Sequence, residues 1–514
     1  MAHRRRTFAE LSSEQATRLL IIRRIGWLRT LLLLVLIALT GRLVDLQIVQ
    51  APRLRALARR QAAQILTITA VRGQIYDRRG RLLAINIRAR SVYADPGLVT
   101  DPASAASQLA PLLALDPHDV HRRLTSPGRF VWIARRIESV PARVIAQLRL
   151  PGIGLVDEDR RVYPMRALAG RVLGFTGAEN QGLAGIELAY ESVLAGRSGR
   201  VQIVTDALGR ELVDTRRVLS PTRPGRNLVL TIDAVIQHIA EREIASAVRA
   251  SRARRGIAIV MDPATSEVLA MVAIPGFDPT VPDFRRPEGW RNPAVSDVYE
   301  PGSTLKAVVA AVALESGALR PNDTFYDPGY LRVGATTIRD AETRPGGHGL
   351  QTLSDIITNS CNVGAALVGT RVGKSRMAGS LRRFGFGEPT GIDLPGEAAG
   401  LIRPIEAWYG PTLQTISFGQ GISVTPIQLL AAVSAIANGG ALVRPHVVRS
   451  VRDVFGASEP APTTPARRVV RPEVARTVTA MLKRAVDEGT GTGAALQAYD
   501  VAGKTGTAQK PGPG

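Results

Sequence analysis

The feature that most constrains this chain is an apolar segment close to its N-terminus. Residues 30–41 read TLLLLVLIALTG, without a charged side chain, and the apolar character resumes after Arg42 as LVDLQIV. Basic residues that precede such a segment favour a cytoplasmic N-terminus, with the rest of the chain beyond the membrane. Here arginines stand before it at positions 4, 5, 6, 18, 23, 24 and 29.

A cleaved signal peptide is the alternative interpretation, because residues 30–41 alone are shorter than the roughly 20 residues that a membrane span needs. An uncleaved anchor is favoured by the long basic segment before the run, by the lack of an Ala-x-Ala site after it, and by apolar residues up to Val49. Arg42 and Asp45 can pair or extend towards the lipid headgroups. We therefore predict a cytoplasmic tail at residues 1–26 and a transmembrane helix at residues 27–49.

The rest of the 514-residue chain is too long for one ordinary core and predicts further domains. QILTITAVRGQIYDRRGRLLAI alternates like a strand, DPASAASQLAPLLALDPHDVHRRL predicts two capped helices, and GLAGIELAYESVLAG predicts one helix at about residues 183–194. The Pro/Gly-rich SPTRPGRN then predicts a domain boundary, which divides residues 50–224 from residues 225–514.

The second domain is predicted to be α+β, with helices packed on an antiparallel sheet. LVLTIDAVIQHIAEREIASAV predicts a strand and then a helix that Asp233 caps. RGIAIVMDPATSEVLAMVAIP predicts a hairpin with its turn at residues 262–266. A helix-rich stretch at residues 303–438 and a final strand complete the pattern.

Charge and metal-ligand composition exclude several functions. The formal net charge of +22 invites nucleic-acid binding, but arginines are scattered and no aromatic residues alternate with them, so we predict no nucleic-acid partner. A single cysteine, Cys361, excludes an internal disulfide. The histidines, at positions 3, 118, 121, 238, 348 and 446, form no HExxH or Cys/His spacing, so we expect no zinc site.

YEPGSTLKAVVAAVALESG contains the first group of residues that predicts chemistry. Ser303 stands where a helix begins, near backbone N–H groups that stabilise an alkoxide, and Lys306 follows one turn later on the same face. Ser-x-x-Lys arises often by chance. However, this chain has only five lysines among 66 basic residues, and a general base must lose its proton, which a guanidinium cannot do.

Two further motifs follow in the sequence. Ser360 and Asn362 lie two apart on a predicted loop, where a hydroxyl and a carboxamide can face one cleft, although both residue types are also common in turns. The third motif, Lys504-Thr505-Gly506, is not a nucleotide loop, because the position that a Walker A motif requires to be glycine is Ala498. Ser-x-x-Lys, Ser-x-Asn and Lys-Thr-Gly in this order are the motif set of penicillin-binding proteins and class A β-lactamases.

The resemblance covers nearly the whole chain. RGQIYDRRGRLLA, GLAGIE, LTID, RNPAVSDVYEPGSTLK, SFGQGISVTPIQLLAA and KTGTAQK resemble the signature segments of class B penicillin-binding proteins, particularly the FtsI-like cell-division transpeptidases. This resemblance implies one inner-membrane span, a periplasmic pedestal of the dimerisation type at residues 50–224, and a D,D-transpeptidase domain at residues 225–514. The activity it implies is cross-linking of peptidoglycan stem peptides during septal wall synthesis, without a metal or cofactor.

The resemblance also implies roles for the first two motifs. Ser303 would attack the D-Ala-D-Ala carbonyl and form an acyl-enzyme, with Lys306 as general base. Ser360 would pass a proton to the leaving D-Ala, and Asn362 would orient the peptide.

In the third motif, Lys504, Thr505 and Thr507 would hold the substrate carboxylate, while Gly506 would allow close approach of the strand. Backbone N–H groups of Ser303 and Thr507 would form the oxyanion hole. β-Lactams, which mimic D-Ala-D-Ala, would acylate the same serine. The span and pedestal resemble the parts that contact a SEDS-family glycosyltransferase and other division proteins.

Two departures from the family pattern leave alternatives open. Cys361 occupies the middle of the second motif, where serine is common. The family also continues beyond Lys-Thr-Gly with two strands and a helix, whereas eight residues follow Gly506 here, so we expect a truncated domain with an unpaired strand edge. The alternatives are an elongation-type relative, a non-catalytic division scaffold, and a secreted serine β-lactamase or antibiotic sensor.

Overall fold

A computed structural model describes residues 8–54, 63–204, 216–341, 345–462 and 464–508. The chain divides into two compact units. The smaller comprises Met1–Thr69 with Ser198–Thr222, and the larger comprises Ala70–Arg197 with Arg223–Gly514. Each unit is an assembly of helices and strands.

The helices of the described residues are numbered in chain order. They are α1 (Phe8–Val44), α2 (Pro102–Leu113), α3 (Pro117–Leu124), α4 (Ser139–Leu148), α5 (Gly170–Leu173), α6 (Gly185–Ala189), α7 (Glu191–Leu194), α8 (Ala234–Ala250), α9 (Pro293–Ser296), α10 (Lys306–Glu315), α11 (Leu353–Thr358), α12 (Asn362–Val372), α13 (Lys374–Arg383), α14 (Thr412–Ser417), α15 (Pro426–Ala437) and α16 (Pro472–Asp487).

The strands are numbered in the same way. They are β1 (Ala63–Ile68), β2 (Ile75–Tyr76), β3 (Leu82–Ala94), β4 (Val131–Ile137), β5 (Ile153–Val162), β6 (Gly199–Val204), β7 (Arg217–Ser220), β8 (Asn227–Leu230), β9 (Gly256–Met261), β10 (Val268–Ile274), β11 (Thr324–Asp327), β12 (Tyr330–Val333), β13 (Thr336–Arg339), β14 (Gly349–Thr352), β15 (Ala441–Leu442), β16 (Val448–Arg452), β17 (Ser458–Pro460) and β18 (Arg467–Arg468).

The smaller unit contains the apolar N-terminal helix. Helix α1 continues into one π-helical turn, Asp45–Val49, and the segment Arg18–Val49 is long and apolar enough to cross a membrane. As the sequence predicted, Arg42 pairs with Asp45, at 2.7 Å between Nη1 and Oδ2. The same unit holds an antiparallel sheet with the strand order β1–β6–β7.

The larger unit begins with a seven-stranded sheet of order β17–β16–β8–β2–β3–β4, in which β5 also pairs with β3. Only β2 and β8 pair in parallel among these strands. The two predicted helices, α2 and α3, are present, and Asp101 and Asp116 cap them by accepting from the backbone N–H groups of Ser104 and His118. Each cap satisfies a donor that a helix end leaves free.

One predicted helix is divided in the structure. The stretch expected to form one helix at residues 183–194 forms α6 and α7, which meet at Tyr190. Tyr190 departs from helical dihedral angles, with φ of −111° and ψ of 26°, and its hydroxyl donates to Asp393 Oδ2 at 3.0 Å. This long-range contact overrides the local helical pattern.

A buried charge network joins α6 to the start of the sheet. The Oε2 and Oε1 atoms of Glu187 accept from Arg72 Nε and Arg161 Nε, each at 2.7 Å. All three side chains are at most 2% exposed. Arg161 also donates to the carbonyl of Gly73 at 2.7 Å. Two of the signature segments therefore meet in this network. Arg72 and Gly73 begin RGQIYDRRG, and Glu187 ends GLAGIE.

The C-terminal part of the larger unit packs helices around α10. This helix is apolar on every side, and its residues 306–314 are all buried, as is typical of a core helix. Helices α11, α12, α15 and α16 surround it.

The predicted hairpin is present as β9–β10, and Asp233 caps α8 by accepting from Val235 N at 3.0 Å.

The final strand expected at Lys504-Thr505-Gly506 is not present as a strand. Residues 501–508 have no ladder partner among the described strands. A cavity of about 800 Å³ is lined by Ile257 of β9 and by Lys504. A strand requires ladder hydrogen bonds to a neighbour, so residues 501–508 are irregular.

The buried network predicts a large effect of one substitution. Glu187→Gln removes the charge that both arginines share, and we expect a loss of about 3 kcal/mol in the free energy of unfolding, because a buried cation loses its partner. The measurement is urea unfolding of the detergent-solubilised chain, followed by tryptophan fluorescence.

Glu459→Gln is the matched control. Glu459 pairs with Arg226 at 3.0 Å, but its side chain is 76% exposed, so its loss should change the unfolding free energy by at most about 0.5 kcal/mol. Equal unfolding midpoints for the two variants would contradict the importance of the network.

Candidate active site

Ser303 lies in a 3-10 turn, Gly302–Leu305, that runs directly into α10. Gly302 has a φ of +56°, and a Cβ there would lie 2.5 Å from the carbonyl oxygen of Thr507. The backbone therefore turns sharply before the serine and passes close to the third motif. Thr304 Oγ1 donates to the carbonyl of Pro301 at 2.6 Å, which closes the turn.

Lys306 connects the first motif to the second. Its side chain is 1% exposed, and Nζ donates to the Ser360 carbonyl at 2.5 Å and to Asn362 Oδ1 at 2.8 Å. Ser360 Oγ lies 3.4 Å from the same nitrogen. Burial, and next the positive charge of Lys504, lower the pKa of Lys306 to about 7, although Cys361 and Asp340 oppose the shift. A substantial fraction of the amine is therefore neutral near pH 7 and able to accept a proton.

Ser360 lies in the loop between α11 and α12, as predicted, whereas Asn362 is the first residue of α12. Ser360 adopts a left-handed backbone conformation, with φ of +59°, and Cys361 forms the N-cap of α12. The Cys361 sulfur accepts from Gly364 N at 3.0 Å. The Asn362 side chain, which accepts from Lys306, also donates through Nδ2 to the Arg339 carbonyl at 3.0 Å. Asn362 is thus held on both sides of its amide.

The third motif lies against the turn that carries Ser303. A Cβ on Gly506 would be 2.6 Å from Thr304 Cγ2, so a larger residue would force either the Thr304 side chain or the third motif to shift. The backbone N–H groups of Ser303 and Thr507, the predicted oxyanion-hole donors, belong to these two adjacent segments. Burial lowers the pKa of Lys504 to about 8.

Sequence reasoning missed two residues that support these motifs. Thr490 Oγ1 lies 3.3 Å from Lys504 Nζ and 3.0 Å from Thr505 Oγ1, so it holds the third motif in place. Its signal in the sequence is the glycine-rich stretch GTGTG at residues 489–493. Asp340 accepts from the backbone N–H of Asn362, and no local pattern could reveal this contact between distant parts of the chain.

The segment SFGQG also contacts the serine turn. The carbonyl of Gly419 accepts from Gly302 N at 3.0 Å, and Gly421 N donates to Glu300 Oε1 at 2.8 Å. A Cβ on Gly419 would lie 2.0 Å from the Gly302 carbonyl oxygen. A glycine is therefore required for this segment to pack against the turn.

Two family models match the chain over most of its length. Residues 256–514 match the penicillin binding protein transpeptidase domain, and residues 67–230 match the penicillin-binding protein dimerisation domain.

Individual relatives cover nearly all of the chain. It is 37% identical to stage V sporulation protein D of Bacillus subtilis, over 93% of this chain and 75% of that protein. It is 32% identical to the peptidoglycan D,D-transpeptidase FtsI of Escherichia coli, over 94% of this chain and 80% of that protein.

The fold is similar to solved penicillin-binding proteins. A crystal structure of penicillin binding protein 3 from Mycobacterium tuberculosis, complexed with aztreonam, matches with a TM-score of 0.67 at 31% identity. The match covers 87% of this chain and 84% of that one. With an apolar N-terminal helix, a dimerisation domain and a transpeptidase domain, the chain belongs to the class B penicillin-binding proteins and is a peptidoglycan D,D-transpeptidase.

Proposed function

We propose that Ser303 is the nucleophile of this transpeptidase and Lys306 its general base. The observation that carries the proposal is the buried Lys306 amine, which lies one turn after Ser303 and contacts both Ser360 and Asn362. Its lowered pKa suits a base that works near neutral pH.

In the acylation step, Ser303 Oγ attacks the carbonyl carbon of the penultimate D-Ala while neutral Lys306 Nζ accepts the hydroxyl proton. The N–H groups of Ser303 and Thr507 stabilise the oxyanion. When the C–N bond breaks, Ser360 passes its proton to the nitrogen of the leaving D-Ala and takes up the proton that Lys306 had accepted, since the two groups are 3.4 Å apart. The amine of a second stem peptide then attacks the ester, the new C–N bond replaces the bond to Ser303, and the proton that the amine loses passes through Lys306 to Ser303 Oγ.

The third motif binds and aligns the substrate. Lys504, Thr505 and Thr507 bind the terminal carboxylate through a cation and two hydroxyl donors. Gly506 allows this segment to approach the Ser303 turn and the substrate closely, and Asn362 orients the peptide amide. β-Lactams enter the same site and leave Ser303 acylated.

The cellular role that we propose is septal wall synthesis. The tail at residues 1–26 is cytoplasmic. The pedestal at residues 50–224 and the enzyme domain at residues 225–514 lie in the periplasm. A SEDS-family glycosyltransferase and other division proteins bind the span and pedestal. Support comes from SDVYEPGSTLK and from the similarity to FtsI. An elongation-type role is the alternative.

Labelling with a fluorescent penicillin tests the nucleophile. The wild-type chain should be labelled covalently, whereas Ser303→Ala should lose the label, because no hydroxyl remains to form the ester. Ser316→Ala is the control, since Ser316 lies beyond the other end of α10 and should not affect labelling.

Labelling of Ser303→Ala at the wild-type rate would contradict the assignment. An unlabelled but folded wild-type chain would favour the scaffold, and rapid turnover of a chromogenic cephalosporin would favour the β-lactamase.

The pH dependence of acylation tests the two lysines. The rate should rise with pH through about 7, as Lys306 becomes neutral, and fall through about 8, as Lys504 loses the charge that binds the carboxylate. The measurement is the stopped-flow rate of penicillin acylation between about pH 5.5 and about pH 9.5. This range covers both the rise of the rate, the acid limb, and its fall, the alkaline limb.

Arginine substitutions separate the limbs. Lys306→Arg should reduce the rate by about 10³-fold at every pH, because a guanidinium does not accept a proton. Lys504→Arg should keep the acid limb and remove the alkaline one. An unchanged alkaline limb in that variant would contradict the assignment of Lys504.

Localisation tests the septal role. A fluorescent fusion of the full chain in its own host should concentrate at the division site, and depletion should produce filaments with uncut septa. A signal along the lateral wall, with rounded cells after depletion, would instead establish the elongation-type role. Ser303→Ala is the control, because it removes the chemistry without altering the span or pedestal.

A further inference from the structure

A two-stranded hairpin, β12–β13, lies beside the second motif and has two different faces. Its central pair, Leu331 and Ile338, packs on the core that surrounds α10. Because neighbouring residues of a strand point to opposite faces, the pairs on either side of this one lie on the outer face. The residues of these two pairs, all exposed, are Tyr330 opposite Arg339 and Arg332 opposite Thr337.

This outer face begins one hydrogen bond away from the active site. The carbonyl of Arg339 accepts from Asn362 Nδ2 at 3.0 Å, and Oδ1 of the same amide accepts from Lys306 Nζ at 2.8 Å. The Arg339 side chain is therefore attached to the backbone group that holds Asn362 in place. A peptide that Asn362 orients lies next to this arginine.

Both arginines of the outer face are available to a ligand. Neither Arg332 nor Arg339 has an ion-pair partner among the described residues. Asp340 follows Arg339 but faces inward, since its side chain is 7% exposed and Oδ2 lies 3.3 Å from His348 Nδ1. Diagonal residues of an antiparallel pair are about 7–8 Å apart, so the two cations together attract an anion.

Tyr330 orients the guanidinium of Arg339. The Cζ atom of Arg339 lies 5.9 Å from the centre of the Tyr330 ring. A guanidinium on the face of an aromatic ring keeps its N–H edge free, and the spacing of the donors on that edge matches the two oxygens of a carboxylate. The outer face is therefore suited to binding a carboxylate beside the active site.

We propose that Arg339, with Arg332 beside it, binds a free carboxylate of the donor stem peptide on the N-terminal side of D-Ala-D-Ala. Stem peptides have a glutamate two positions before the penultimate D-Ala, and its second carboxyl is either free or amidated. An extended chain advances about 3.5 Å per residue, which places this glutamate about 7 Å beyond the attacked carbonyl. With its terminal carboxylate on the third motif, the peptide is then held on both sides of that carbonyl.

Such a subsite makes the enzyme selective among stem peptides. Amidation removes the negative charge and one acceptor oxygen, so the paired guanidinium donors lose their matching partner. Peptides with the free carboxyl therefore bind more tightly than amidated ones. This selectivity rests on the proposed roles of Asn362 and the third motif in holding the peptide, but not on the identity of the nucleophile.

Equilibrium binding of two pentapeptides tests the subsite. Both end in D-Ala-D-Ala and carry an N-terminal fluorophore, and they differ only in whether the second carboxyl of glutamate is free or amidated. Fluorescence anisotropy gives their Kd values for the full chain in detergent with Ser303→Ala, which lacks the proposed nucleophile. The free-acid peptide should bind about tenfold more tightly. Added salt should reduce this ratio, because both arginines are exposed.

Substitutions in the same Ser303→Ala chain locate the effect. Arg339→Gln should bring the ratio of the two Kd values close to one by weakening only the free-acid peptide, and Arg332→Gln should reduce it less. Arg339→Lys should keep part of the ratio, because an ammonium has charge without the paired donors. The matched control is Arg371→Gln, which removes an exposed arginine at the opposite end of α12 from Asn362 and should leave the ratio unchanged.

The two proposals fail separately. Equal Kd values for the two peptides, no measurable binding of either, or a full ratio in Arg339→Gln would each overturn the subsite. Penicillin labelling of Ser303→Ala would instead contradict the proposed nucleophile and leave the ratio of Kd values as it is.

Discussion

The buried amine of Lys306 is the contact on which the catalytic half of the molecule depends. An ammonium removed from water costs several kcal/mol unless polar partners surround it. Those partners, the Ser360 carbonyl and Asn362 Oδ1, come from a loop between two other helices. The core helix α10 can therefore bury its first residue only when α11 and α12 have packed beside it. The same contact that stabilises the fold also joins the first two motifs.

Close backbone approach then brings in the third motif. Gly302, Gly419 and Gly506 each lie where a Cβ would come within 2.6 Å of a neighbouring segment. Because all three lack side chains, the serine turn is packed between the SFGQG segment and the Lys-Thr-Gly segment. The glycines in these motifs thus have a steric explanation, and the functional side chains on either side of them are positioned by backbone packing instead of by long, flexible contacts.

Features determined by neighbouring residues were predictable from the sequence. Helix caps at Asp101, Asp116 and Asp233, the β9–β10 hairpin and the helix start at Ser303 all follow from short patterns. Features that depend on distant residues were not. The break at Tyr190 and the Asp340 contact to Asn362 each depend on what packs alongside, which no local pattern contains.

Cys361 shows how a local interpretation and a long-range one can differ at a single residue. As the N-cap of α12, it accepts from Gly364 N, yet sulfur is a weak acceptor and a serine oxygen would cap the helix better. Nor does it suit a reactive thiol, because burial raises its pKa, and so do the neighbouring carboxylates. Capping and redox chemistry therefore do not account for a cysteine here. Burial does, because Cys361 is 0% exposed within the core that surrounds α10, where a free cysteine behaves as a small apolar side chain.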